Sequence, residues 1–146
     1  MNLSNKSKES EIQAIFLDWY QNCKRDLPWR STHDSKLPNA YYIFVSEYML
    51  QQTTVGTVKK RFEKFVLRWP TLDSLATISN TTILSFWSGL GYYSRATNLL
   101  KAAKIIKKNF KSKIPNNYDE LLSLPGIGDY TAKAILGIAY NKPVMP

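Results

Sequence analysis

The chain has 146 residues, 44% hydrophobic and 13% aromatic, which is enough for one domain with a real core and excludes a disordered segment. Its 20 Lys and Arg against 11 Asp and Glu give a formal charge of +9, favouring a polyanionic partner, either nucleic acid or an anionic membrane surface. No apolar run approaches a membrane span, and MNLSNKSKES lacks the apolar core of a signal peptide, so the expected location is the cytoplasm.

Residues 1–8 are polar and expected to fray. Ile12, Ile15, Phe16, Trp19, Tyr20 and Cys23 then fall at helical spacing and define one apolar face, on which Cys23 reads as a packing residue. Cys23 is the only cysteine, which leaves no internal disulfide and no cysteine cluster for a metal. RDLPWR and the polar loop STHDSKLPN follow; His33 stands alone there and receives no role. Asn39 caps the next helix. From Ala40 the sequence AYYIFVSEYMLQQT is apolar on nearly every side, the pattern of a buried helix. Glu47 is its anomaly, since carboxylates are rarely buried without a partner. Thr53 or Thr54 caps a third helix carrying Val55, Val58, Phe62, Phe65, Val66 and Trp69, and Pro70 ends it.

Two short helices are predicted around Leu72–Ile78 and Thr82–Trp87. The glycine loop SGLGYYSRA leads into a long helix through Leu99, Leu100, Ala103, Ile106 and Phe110. Seven basic residues and no acidic one lie between Arg95 and Lys113, and most read as a solvated face. The apolar side of this helix is a core stripe rather than an interfacial one, which sets the membrane-surface reading aside. A short helix through Leu121 and Leu122 precedes LPGIGDYTAKAIL. Gly126 and Gly128 permit a tight hairpin, Asp129 looks like an N-cap, and Ala132 to Leu136 continue as helix. The free N–H groups at that helix mouth suit a phosphate, with an ordinary helix–helix turn as the alternative. No segment alternates as a strand does. The fold class is all-α.

Two places carry candidate chemistry. A carboxylate buried among aromatics has its pKa raised, so Glu47 is either a proton donor near neutral pH or a core glutamate bonded to a helix N-terminus. Gln51 and Gln52, uncharged donors and acceptors at the end of the same helix, can wedge into a base stack or read base edges. Tyr92 and Tyr93 follow two glycines on a loop beside a basic helix, as stacking or wedging groups or as packing at the helix start.

RDLPWR, SEYMLQQT, FWSGLGYYSRATNL and LPGIGDYTAKAIL stand in the order and spacing of the A/G-specific adenine DNA glycosylases, which the chain resembles from about Trp19 to its last residue. SEYMLQQT and GLGYYSRA are specific together, whereas the hairpin marks only the superfamily. The loop between Trp29 and Tyr41 is a few residues longer than the family's. The resemblance implies a helix-hairpin-helix glycosylase core of the six-helix-barrel type. It implies that Glu47 protonates a flipped adenine, that Gln52 enters the duplex with Gln51 beside it, and that Tyr92 wedges next to the opposing base. Arg25, Leu27, Trp29 and Arg30 match the loop lining the adenine pocket, with Leu50 and Val55 closing it. Gly126, Ile127 and Gly128 match the hairpin that grips a phosphate.

Tyr130 stands with Glu47 as a candidate catalytic position, because the lyase relatives carry a Schiff-base lysine there. Without an amine, strand cleavage is not expected, which implies a monofunctional enzyme. Lys133 is a phosphate contact or a surface charge. The implied partner is double-stranded DNA with an A:8-oxoguanine or A:G mismatch, with no membrane, bound by a monomer. The family's second catalytic carboxylate, in a D-G-N-[VI] motif, aligns about two residues past Pro146. The four cysteines of the family's 4Fe–4S cluster and its C-terminal domain are also absent. The resemblance therefore implies a single all-α unit over 1–146, with its helix-hairpin-helix at 119–140, truncated before those domains, without a cofactor and slow or inactive as written. The first helix, within 1–24, packs on the missing half in relatives, so Ile12, Phe16 and Trp19 are expected to be partly exposed. Two alternatives remain: another mismatch-specific glycosylase of the superfamily, such as a thymine-mismatch enzyme, and a non-catalytic DNA-binding module, which has no use for Glu47.

Overall fold

The computed structural model describes residues 3–32 and 35–146, so His33 lies outside the described residues. Every regular element among them is helical. The helices are α1 (Leu3–Cys23), α2 (Ala40–Leu50), α3 (Val55–Arg68), α4 (Leu72–Ala76), α5 (Asn80–Trp87), α6 (Ser94–Asn109), α7 (Tyr118–Leu122) and α8 (Asp129–Tyr140). A turn of 3-10 helix spans Pro28–Arg30.

The predominantly apolar α2 lies at the centre. Its residues 43–49 are all buried, and α3, α6, α8 and the 3-10 turn pack around it. A helix without a polar face has no stable place at a surface, so its neighbours are arranged to cover it. Asn39 caps it as the sequence predicts, its Oδ1 accepting from the N–H groups of Tyr41 (2.9 Å) and Tyr42 (3.4 Å). The Tyr41 hydroxyl donates to the Trp69 carbonyl at 2.8 Å, fixing the start of α2 to the end of α3. Edge-on ring contacts of Trp29 and Tyr42 with Phe62 fill the space between these elements. α4 and α5 lie on α6, and α7 lies on α8.

Several local expectations need correction. Residues 3–8 are helical rather than frayed. Ser79 accepts from the Thr82 N–H, so α5 starts at Asn80. Thr54 is the cap position of α3, but its hydroxyl bonds the Thr57 hydroxyl instead of a backbone amide. At α8 the cap is Gly128 in extended backbone, and Asp129 is the first helical residue. The Asp129 carboxylate is drawn sideways, accepting from the Tyr118 hydroxyl (2.6 Å) and pairing with Lys133 (3.2 Å), which together hold it below the usual carboxylate range. Lys133 is thus a paired surface charge here.

The first helix stands apart. Ile12, Ile15, Phe16, Leu17, Trp19 and Tyr20 are between 46 and 69% exposed, and α1 takes no part in the principal interhelical contacts. Cys23 is exposed as well and is not part of the core. Changing Phe16 and Trp19 to Ser in the 146-residue chain is expected to shift its stability by no more than about 0.5 kcal/mol. It should also raise the concentration at which the chain self-associates. Urea denaturation and sedimentation measure both effects, and a large loss of stability would mean that α1 is packed in solution.

Candidate active site

Glu47 lies on α2, one turn before its end, and is 7% exposed. No described residue hydrogen-bonds its carboxyl group, which removes the reading of a core glutamate held at a helix N-terminus. Burial pushes its pKa up to about 7, and the positive charge of Arg30 pulls it down by less. The neutral form is therefore far more accessible near neutral pH than for an ordinary carboxyl group.

Glu47 opens onto a cleft of about 1550 Å³. The same cleft is lined by Arg25, Leu27, Trp29 and Arg30 from the 3-10 segment and by Leu50, Gln51, Gln52 and Val55 from the α2–α3 junction. Tyr130 lines it from the start of α8 and is 64% exposed. The structure thus brings the catalytic and pocket candidates into one concavity. It adds Asp26, Thr53 and Thr131, which the sequence did not assign to the site, with Trp19, Tyr20 and Cys23 at the C-terminal end of α1 and Lys24 just after it. Tyr92 and Gly126 to Gly128 lie outside it, on neighbouring turns.

Those turns are tied to α2 by side-chain donors. The Tyr48 hydroxyl donates to the Pro125 carbonyl at 2.5 Å, and Gln51 Nε2 donates to the Gly126 carbonyl at 3.1 Å. The Gln51 amide is thereby engaged inside the protein, in contrast to the insertion role expected beside Gln52. Gly126 has φ +80°, and a Cβ there would lie 2.9 Å from Asn98 Cβ and 3.0 Å from Tyr48 Cε1. Only glycine lets this hairpin sit against both α2 and α6. Ile127 is buried beneath it, while Gly126 and Gly128 are exposed and their amides find no partner among the described residues.

Arg95 departs most from expectation. Counted with the solvated basic residues, it is 5% exposed. Nη1 lies within bonding distance of the Met49 (2.6 Å) and Gln51 (2.5 Å) carbonyls and the Thr53 hydroxyl (2.8 Å). Nη2 donates to the carbonyls of Leu90 (3.0 Å) and Gly91 (3.1 Å). A signal was present in the sequence: Arg95 occupies the apolar stripe of α6, one turn before Leu99, where a solvated residue does not belong. Arg61 holds the other side of the glycine loop, donating to Phe86 and Ser88, both at 2.7 Å. Gln52 and Tyr92, both exposed, have φ of 56° and 45°. Non-glycine residues rarely adopt this left-handed region, at a cost of about 1–3 kcal/mol each.

A buried protonatable carboxyl in a wide cleft, flanked by a glycine hairpin and two exposed strained tips, is a layout that comparison with known proteins can place. Residues 45–146 match the HhH-GPD superfamily base excision DNA repair proteins. The chain belongs to that family. Curated relatives of this HhH-GPD chain include the adenine DNA glycosylases of Buchnera aphidicola subsp. Baizongia pistaciae, 45% identical over 86% of the chain and 34% of the relative. The Homo sapiens protein of the same name is 41% identical over 90% of the chain and 25% of the relative. The chain spans about a third of the length of the first of these. Among solved structures, a thermostable thymine-DNA glycosylase superposes with a TM-score of 0.78 at 28% identity, over 97% of this chain and 63% of that one. The residues described do not fit an iron–sulfur cluster: Cys23 is the single cysteine, and no group of three or more His, Cys, Asp or Glu among the described residues can hold a metal. The chemistry below uses none.

Two outcomes follow for the HhH-GPD fold. Gly126→Ala is expected to destabilise the chain by about 1–3 kcal/mol through the clash and the positive φ, and full stability in urea denaturation would contradict the hairpin seating. For Glu47 the folded pKa lies above its ordinary value of 4.5, so its stabilising contribution is complete below pH 4.5 and is lost as pH rises through about 7. Relative to Glu47→Gln, the native chain should therefore lose stability between pH 5 and pH 8, on the order of 2–3 kcal/mol. Parallel pH curves for the two would reject the raised pKa.

Proposed function

We propose that the protein is a monofunctional DNA glycosylase that hydrolyses the N-glycosidic bond of adenine mispaired with 8-oxoguanine or guanine. The observation that carries this is Glu47, a buried and partly protonated acid facing a cleft large enough for an extruded nucleotide, in a family of base excision proteins. A base inside a duplex is out of reach of any buried acid, so the target must leave the stack, and mismatched bases leave at least cost. Gln52 and Tyr92 are exposed tips suited to filling the vacated space, and Gly126 and Gly128 offer amides to a flanking phosphate.

In the cleft, the 3-10 segment and the α2–α3 junction enclose the base and exclude water around Glu47. The neutral Glu47 carboxyl gives its proton to a ring nitrogen of adenine. The bond between that base and the sugar C1′ breaks with its electron pair leaving on the base, and an oxocarbenium-like cation remains. Water then adds hydroxide to C1′, and its second proton returns to the Glu47 carboxylate. A carboxylate facing the cation would lower the barrier further, by the two-carboxylate logic of glycoside hydrolysis. Asp129 does not serve, since Tyr118 and Lys133 already occupy it. Tyr130 carries a phenol and no amine, so it forms no Schiff base with the sugar and the strand stays intact.

A second reading, a thymine-mismatch glycosylase, is favoured by the 28% identity to the thymine-DNA glycosylase. The full-length protein should be given A:8-oxoguanine, A:G and T:G duplexes under single-turnover conditions. Release of adenine without strand cleavage is the expected result, and release of thymine alone would select the second reading. Glu47→Gln should lower the rate by about 10²–10⁴-fold with duplex affinity retained, and the native rate should fall as pH rises above about 7. A Glu47→Gln protein as fast as the native one removes Glu47 from the chemistry, and a native protein that binds duplex but releases no base leaves only a DNA-binding module.

A further inference from the structure

We propose that Arg95 is a positioning residue whose single guanidinium sets Gln52 and Tyr92 in place as a two-pronged wedge. This rests on the reading above, in which those two side chains enter DNA. The two tips come from distant parts of the sequence, the α2–α3 turn and the glycine loop before α6. Both are left-handed, and in each case the carbonyl of the preceding residue is an Arg95 acceptor: Gln51 O on Nη1 and Gly91 O on Nη2. Fixing that carbonyl fixes the peptide plane that carries the strained residue, so the tip cannot relax to ordinary backbone without breaking a charge-assisted bond. The remaining acceptors secure each turn further: Tyr48 O, Met49 O and Thr53 Oγ1 share the two Nη1 hydrogens with Gln51 O on one side, and Leu90 O accepts on the other. The guanidinium is rigid and planar, so the separation of the prongs is set by the distance across one fork. The Trp87 ring backs it, with Arg95 Cζ 5.4 Å from the centroid, and Arg61 steadies the far side of the loop.

A direct phosphate contact is the competing role for an arginine on this end of a basic protein. Burial opposes it: Arg95 is 5% exposed, and its Nη donors point inward at carbonyls. A lysine keeps the charge but offers no fork, so Arg95→Lys tests geometry rather than electrostatics.

The experiment uses the full-length protein and a duplex with 2-aminopurine in place of the target adenine, read for base extrusion by fluorescence, beside single-turnover excision. Arg95→Lys is expected to fold by circular dichroism and to bind duplex with an unchanged salt slope, because no phosphate contact is lost. Extrusion and excision should both fall by about tenfold or more, as expected for a misplaced wedge, while the pH dependence of the remaining excision stays native because Glu47 is untouched. In a Gln52→Ala/Tyr92→Ala background, Arg95→Lys should add less than about twofold, since the groups it positions are gone. Native extrusion by Arg95→Lys, an equal loss in the wedge-free background, or a salt slope reduced by about one overturns the proposal. Should Arg95→Lys fail to fold, Thr53→Val, which removes one acceptor, carries the test: extrusion about threefold weaker supports the clamp, and unchanged extrusion overturns it. Native protein that binds duplex but neither extrudes nor excises overturns the glycosylase reading with it, whereas native activity matched by Arg95→Lys overturns the clamp alone.

Discussion

An apolar helix eleven residues long can be stable in water only if other elements surround it, and α2 imposes that condition on the chain. α3, α6, α8 and the 3-10 turn are placed by it, and the aromatic contacts between them follow from filling the same space. The chemistry depends on the same burial. A carboxyl group carried into that interior, without a hydrogen-bond partner among the described residues, holds its proton to about pH 7. The packing that holds the fold together is therefore what raises the pKa of Glu47, and no separate device is needed to raise it.

The opposite end of the stability scale is also visible. Gln52 and Tyr92 occupy the left-handed region that few non-glycine residues adopt, and the carbonyls preceding them are held by the Arg95 side chain. A rigid interior and strained, exposed tips are thus joined through Arg95, Arg61, Tyr48 and Gln51. α1 belongs to neither. It contributes Trp19, Tyr20 and Cys23 to one wall of the cleft while most of its apolar face meets solvent.

The all-α fold and the buried α2 with its Asn39 cap were legible in the sequence because each depends on local periodicity, whereas the residues that meet in the cleft were named only through the resemblance. The exposure of Ile12, Phe16 and Trp19 was legible too, through the resemblance. What escaped was long-range hydrogen bonding. Nothing within one turn of Gln51 indicates that its amide reaches Gly126, 75 residues away, and nothing near Tyr48 indicates Pro125. Arg95 was misread because a run of like charges suggests a common environment, whereas its register on α6 places it with Leu99 rather than with the lysines. Cys23 failed for the converse reason: helical spacing predicts a shared face, but it does not supply a partner for that face. Asp129 lost the cap position to Gly128 because its carboxylate found Tyr118 and Lys133 instead.

The inward-turned carbonyls have an electrical consequence. A trans peptide points its N–H opposite to its C=O, so a carbonyl drawn into the protein turns the following amide outward. Ser88, Leu90, Gly91 and Pro125 all direct their oxygens at interior donors. The amides of Gly89, Gly91, Tyr92 and Gly126 correspondingly have no backbone partner among the described residues. The peptide dipoles at this end of the molecule are therefore oriented alike, with their positive ends outward. This polarity comes from uncharged groups and does not titrate, so it persists whatever the protonation of the side chains that give the chain its net charge of +9.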